Sequence, residues 1–581
     1  MKQKLLVVFS LLVVLSMVVA QSVSAAPPRQ TPEGSGLPPE ETLVVSTFGA
    51  GDVPTLDPSL AEDTTSIQVG LETFVGLTRL NEVTGAVEPG MAKSWDISKD
   101  GKVYTFHLHD DVYWVRFNNA TGQVEKVLDD EGKERKVTAH DFVYGIRRTL
   151  DPKTGSNYNY VNWDVIKNAK EVAGGSELAD KDPLYGKVEE IGVKALDDFT
   201  LEVTLVRPAA YFLGIASMWI NWALPEWLIA EKKDRWIEAG IMHSYGPYVL
   251  KEWIHDSHLI LIANPFWPNT MPSVPQPKIK YIFFTMLDES PSFANYEAGL
   301  SDVSGVPLTE MDRVKADPVL SKELSITGQF CTYYYGFNVT KPPFDDVNVR
   351  KAFSWAIDRT DIVENVTKGE QIPARWFSRP GLTAAPDPAA GDDFGPPVKA
   401  DPKLAKEFLA KSKYGSADKL PEITLMVNQV EGHVRIAEAI QQMWQETLGV
   451  KVNLVTQEWK VYLDTLDQDP PQIFRLGWCY DYPDADNFAK GVFRSDSGNN
   501  HTKWKNPKYD QLVDKAGEET DPKKRHDLYV EAEKILVVED AVIAPIYWYT
   551  HVNVTKPWVK RTYSQAGQEA FEKWELVGKG K

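Results

Sequence analysis

Apolar positions recur along this chain with two different periods. Thr42-Leu-Val-Val-Ser-Thr-Phe48 is a short apolar run between polar stretches and predicts a first buried strand. From Val103 to Val115 the apolar positions alternate, which puts Tyr104, Phe106 and Leu108 on one face of strands. Thr138 then stands as a capping residue before Phe142, Val143 and Ile146, and predicts a helix. Ile423–Val427 predicts a strand. His433–Leu448 predicts a helix with Ile436, Ile440, Met443 and Trp444 on one face and Gly449 as its stop. Val450, Val452 and Leu454 alternate in the next strand. Asp521-Pro522 opens a further helix, with Leu528, Ala532, Ile535 and Leu536 turned inward. Strands alternating with helices of this length predict an α/β chain with mixed or parallel sheets.

Between these elements lie punctuating segments. Residues 116–136 are polar and charged and predict a long surface hairpin, and the Pro-, Gly- and Asp-rich residues 380–402 predict a surface loop. At the N-terminus, Lys2 and Lys4 precede the apolar run Leu5–Ala20, and Val23-Ser24-Ala25 supplies small residues for cleavage before Ala26. Residues 1–25 therefore read as a secretory signal. The run is short for a membrane anchor, which needs about 20 apolar residues. No Cys stands near the site to carry lipid. Residues 26–41 are Pro/Gly-rich and acidic and predict a disordered linker.

The 581 residues suggest three to four domains. With 63 Lys and Arg against 82 Asp and Glu, the net charge is −19, which argues against nucleic acid and anionic lipid as partners. Two cysteines, Cys331 and Cys479, in an exported chain permit one disulfide or two buried thiols.

Chemistry-bearing motifs are scarce. No G-x-S-x-G elbow, H-E-x-x-H helix or phosphate loop occurs, so no enzyme activity and no cofactor or metal is expected. His107 and His109 alternate with chelate spacing, but isolated surface histidines account for them as well. Asp481-Tyr-Pro-Asp-Ala-Asp486 packs three carboxylates into six residues without the Gly and distal Glu of a calcium loop. It follows Arg475-Leu-Gly-Trp-Cys479, and an apolar segment delivering a cation and an anion six residues apart reads as a recognition strand.

From about Thr42 to about Trp558 the chain resembles the extracytoplasmic solute-binding proteins of ABC transporters, oligopeptide- and dipeptide-binding family. The resemblance rests on ordered segments. Among them are Val87-Glu-Pro-Gly-Met-Ala-Lys-Ser-Trp95, Val137-Thr-Ala-His-Asp-Phe-Val-Tyr144, Gly246-Pro-Tyr-Val-Leu-Lys-Glu-Trp253, Cys331-Thr-Tyr-Tyr-Tyr335, Gln457-Glu-Trp-Lys460 and Gly477-Trp-Cys479. It implies a periplasmic-binding-protein type II bilobed α/β fold with an extra inserted domain. Lobe I would hold residues 42–74, 207–330 and 549–581, the inserted domain 75–206, and lobe II 331–548. It also implies a Cys331–Cys479 disulfide and a soluble, periplasmic or cell-envelope monomer that delivers peptides to a membrane permease and its ATPase.

The same resemblance assigns site residues. Glu62-Asp63-Thr64 and Gly477-Trp478-Cys479 would flank the peptide backbone by strand addition. A Gly at 477 suits close approach of a ligand backbone. Asp481 would take the α-amino group, and Arg475 with His433 the α-carboxylate. Trp459, Trp478, Tyr334 and Tyr547 are candidates to line wet side-chain pockets. The chain departs from the family in having Leu466 where the oligopeptide binders carry a further Arg, and its Asp481 segment is closer to the dipeptide branch. Oligosaccharide or dipeptide binding on the same fold, and an exported hydrolase using two carboxylates, are the alternatives.

Overall fold

The computed structural model describes residues 36–49 and 51–580. The predicted signal and residues 26–35 of the predicted linker lie outside them. Residues 36–41 are not a loose tether. Pro39–Glu41 form one 3-10 turn, and Leu37 is buried against Val44, Ile260 and Phe283. Burial of that one apolar side chain stabilises the segment ahead of the first strand.

One large sheet runs through both lobes. Its strands lie in the order Tyr248–Ile254, His258–Ala263, Tyr281–Thr285, Thr42–Ser46, Val303–Gly305, Ile543–Thr555, Leu324–Phe337, Ile473–Cys479, Thr424–Asn428 and Asn453–Gln457. Thr42–Ser46 pairs parallel to both its neighbours, as does Thr424–Asn428. The two long strands, Leu324–Phe337 and Ile543–Thr555, pair antiparallel and carry the sheet from one lobe to the other. The expected lobe borders at 330/331 and 548/549 therefore fall inside strands. Between the pairs Gly328–Thr550 and Thr332–Trp548, three residues, Gln329, Phe330 and Cys331, oppose the single Tyr549, a bulge that bends the pair at the crossing. Cys331 leaves this bulge directly opposite Cys479 on Ile473–Cys479, and the two form a disulfide.

A separate four-stranded antiparallel sheet is built entirely from residues 92–204, in the order Ala92–Ile97, Val103–Leu108, Thr200–Thr204, Val193–Asp197. Tyr104, Phe106 and Leu108 are its buried face, as their alternation predicts. The helix Ala139–Leu150 packs beside it. Its start is closed by a capping box in which Asp141 accepts the Thr138 N–H at 2.8 Å. The predicted hairpin forms from Val115–Asn118 and Gln123–Lys126, but it is not merely surface. Val115, Phe117 and Val124 pack on Val249 and Ile262 of the large sheet.

In the second half the helices occur where the periodicity put them, at Glu431–Leu448 and Pro522–Lys534. The strand after Gly449 starts later than its alternation predicts, at Asn453, and Val450 and Val452 are buried in the connecting segment ahead of it.

Candidate functional site

Between the lobes lies a cavity of about 520 Å³. One wall begins with Glu62-Asp63-Thr64. Asp63 caps the helix Thr64–Thr73, its Oδ1 accepting the N–H groups of Thr65 (2.9 Å) and Ser66 (3.1 Å). The same oxygen accepts the Trp459 indole N–H at 3.4 Å from the opposite lobe. The facing wall is the strand Ile473–Cys479. It pairs with Leu324–Phe337 along its whole length, but with Thr424–Asn428 only at Ile473 and Phe474. From Arg475 onward its outer edge has no strand partner among the described residues. The Arg475 carbonyl instead accepts the Tyr462 hydroxyl at 2.5 Å. Main-chain groups two residues apart point the same way, so those of Gly477 and Cys479 share that open side.

Two charged groups on this segment lack counter-ions. Arg475 is buried, donates to Asn428 Oδ1 (3.2 Å) and the Tyr549 hydroxyl, and lies 4.5 Å over the Tyr333 ring. Its Nε has no partner, and no carboxylate pairs with it among the described residues. Asp481 accepts one hydrogen bond from Asn487 Nδ2 at 2.8 Å. Asn487 is aimed by two donors on its oxygen, the Asp481 N–H and the Trp478 indole N–H, both at 3.0 Å. Burial pushes the Asp481 carboxyl up to about 7 against that single favourable bond. No Lys, Arg or His ion pair reaches it among the described residues.

Most of the expected residues converge. Glu62, Asp63, Thr64, His433, Trp459, Arg475, Gly477, Trp478, Cys479 and Asp481 all line the cavity. His433 does so as a neutral ring, because burial first and the Arg475 charge second hold its pKa well below the ordinary range. Gly477 has a reason of its own within the protein beside the expected ligand approach: a Cβ there would stand 2.8 Å from the Tyr549 hydroxyl that Arg475 uses.

Two expected aromatics do not line the cavity. Tyr547 is 4% exposed and stacks on Tyr333 at 4.8 Å, one layer behind the wall. Tyr549, two residues on along the same face of the strand, reaches the cavity in its place, and period two is the signal that would have found it. Tyr334 points into the core against Phe377 and Phe493. The remaining acids of the Asp481–Asp486 run turn to different partners. Asp484 forms a bidentate pair with Arg525, and Asp486 accepts the hydroxyls of Tyr482 and Tyr529. His107 bonds Asp96 at 2.9 Å rather than forming a chelate.

Sequence reasoning missed the groups brought in by distant segments. Tyr158, from residues 92–204, stacks parallel to Trp478 at 6.3 Å. Glu289 accepts the Gly432 N–H from the opposite lobe at 2.9 Å. Lys490 pairs with Asp164 at 2.7 Å, and Asn499 donates to the Tyr160 hydroxyl at 2.9 Å. These contacts hold the walls together on both sides of the cavity.

A family model for bacterial extracellular solute-binding proteins, family 5, matches residues 86–500. The oligopeptide-binding protein of Bacillus subtilis strain 168 is 35% identical over 501 residues, 85% of this chain and 85% of that one. In structure, the murein tripeptide-binding protein of Escherichia coli gives a TM-score of 0.80 at 29% identity, covering 92% of this chain and 98% of its own. The unliganded open form of that protein gives 0.59 at 29% identity, over 94% and 99%. The Haemophilus influenzae oligopeptide-binding protein in complex with the peptide RPPGFSPFR gives 0.79 at 27% identity, over 93% and 100%. The lobes of the present structure thus sit nearer to the peptide-bound arrangement than to the open one.

Proposed function

Because the chain belongs to the bacterial extracellular solute-binding proteins of family 5, we propose that it is an exported peptide receptor. It closes two lobes around a peptide and delivers it, as a monomer, to the permease and ATPase of an ABC importer. It binds its ligand without turnover. The leader read at residues 1–25 would carry it out of the cytoplasm.

One observation carries this reading. Asp481 and Arg475 lie in one cavity, six residues apart in the chain, and neither is neutralised by the protein. Enclosing a charge without a partner is costly, so each group is best matched by a ligand charge of opposite sign. Six residues of extended chain span at most roughly 20 Å, so a short zwitterion can meet both. A peptide has that pattern whatever its side chains are, with the α-amino group on Asp481 and the α-carboxylate on Arg475. The open edge from Arg475 to Cys479 offers the main-chain hydrogen bonds that peptides share. A neutral oligosaccharide would leave both charges unmatched.

Native mass spectrometry of the protein as purified tests the proposal. The expected result is a set of bound masses that fragment as peptides and are displaced by added peptide. Bound masses that fragment as glycans, or peptide titrations without heat, would overturn it.

A further inference from the structure

Carboxylates also gather at a second place in the cavity, and the peptide termini do not account for them. Glu62, on the loop before Thr64–Thr73, faces Asp467, at the end of the helix Trp459–Gln468. Between them stands Asn157 from the inserted segment. Its amide nitrogen donates to Glu62 Oε2 at 3.0 Å and to Asp467 Oδ2 at 2.6 Å. Three separate parts of the chain therefore hold two acids together through one neutral bridge.

Asp63 adds a third carboxylate. It is 4% exposed and lines the same cavity, and its Oδ2 has no partner. The cations nearby do not neutralise this wall. Lys503 donates to the Asp467 main-chain oxygen at 3.3 Å rather than to its carboxylate. His501 has its Nδ1 3.6 Å from Asp467 Oδ1, but burial and then Lys503 hold its pKa down to about 3, so the ring is neutral. No Lys or Arg forms an ion pair with Glu62, Asp63 or Asp467 among the described residues. Burial and then the Asp467 charge push Glu62 up to about 7, and burial pushes Asp467 up to about 6.

We propose that Glu62, Asp63 and Asp467 form a receptor for a basic side chain, so that the protein selects peptides carrying Lys or Arg at one position. The inference rests on the peptide reading of the cavity and names the class of peptide. The α-amino group has Asp481, which leaves a side-chain ammonium or guanidinium as the peptide cation for this wall. Such a group brings several donors as well as charge, and two carboxylates already held side by side accept them without rearrangement. Steering adds to the effect, because a wall of one sign raises the local concentration of opposite charge.

Calorimetry with alanine-based peptides of two to five residues tests this. Each position is replaced in turn by Lys, norleucine or Glu. Norleucine keeps the aliphatic stem and removes the ammonium. At one position Lys is expected to bind about ten- to a hundredfold more tightly than norleucine, the range of a charged hydrogen bond in an enclosed site. Glu at that position should bind worst. Asp467→Asn should bring the Lys-to-norleucine ratio close to one, whereas Asp467→Glu should keep most of it, with thermal melts showing both variants folded. Norleucine peptides that bind while Lys has no advantage at any position would overturn the proposal and leave peptide binding standing. An unchanged ratio in Asp467→Asn would also overturn it. If no peptide of any composition binds, it is the reading of the cavity that fails.

Discussion

The Glu289 carboxylate accepts the backbone N–H of Gly432 across the cleft at 2.9 Å, joining one lobe to the start of the helix Glu431–Leu448 in the other. The helix N-terminus favours a negative charge there. Burial opposes it and is the larger influence, pushing the Glu289 carboxyl up to about 7, with Asp288 and Glu431 adding to the rise. The contact is made only when the lobes meet, so it ties closure to pH.

Closure should therefore strengthen in acid. In an open cleft Glu289 is hydrated and keeps the ordinary glutamate value of about 4.3. A group whose pKa is higher in the closed state favours that state fully below its open-state value and loses the advantage as pH rises to about 7. Peptide affinity is expected to fall as pH rises from about 5 to 7 and then to level off. Glu289→Gln should flatten part of this slope and bind up to about tenfold more tightly than wild type at pH 8. Titration calorimetry across that pH range decides it, and an identical slope in the variant would exclude Glu289 as the cause.

Asp481→Asn removes the charge and keeps the size. Breaking an enclosed charge pair costs about 3–5 kcal/mol, or roughly two to three and a half decades in affinity. N-acetylated peptide should bind wild type poorly and lose little more in the variant. That non-additivity links Asp481 to the α-amino group. Equal losses for free and acetylated peptide would place Asp481's role elsewhere.

Arg475→Met keeps apolar volume beside Tyr333 and removes the cation. Peptides with a free α-carboxylate should lose about 2–5 kcal/mol of binding, and C-amidated peptides much less. His433 should titrate at a higher pH in the variant, since Arg475 is the second cause of its depression after burial. NMR of the imidazole carbons reads this directly. A His433 pKa that does not move would show that the two side chains do not interact.

Replacing both Cys331 and Cys479 by Ala opens a loop of 148 residues. The ligand-free protein should lose about 2–5 kcal/mol of stability, seen as a lower urea midpoint. Because Cys479 ends the ligand-facing strand and Cys331 sits in the bulge of the crossing strands, peptide affinity should fall as well. Coincident midpoints for variant and wild type would show the bond to be mechanically idle.

What the residues determine alone lies within a few positions of each one. The capping box at Thr138, the Asp521-Pro522 helix start and the Tyr104–Phe106–Leu108 face all rest on neighbours at i+2 to i+4, and all form where the pattern put them. The ordered family segments carried further, to the bilobed fold and to most of the cavity residues. Other features are set by contacts between distant parts of the chain. Period two puts Tyr547 and Tyr549 on one face, and only the tertiary packing separates them: Tyr549 reaches the cavity while Tyr547 stacks on Tyr333 behind it. His433 is neutral because folding encloses it beside Arg475. Asp467 is a candidate ligand group only because Asn157, 310 residues away, holds it against Glu62. Local periodicity reports which side of an element is apolar. Whether a charge on the other side meets water, a partner or an empty cleft depends on desolvation and Coulomb interactions among groups that only the tertiary structure brings together.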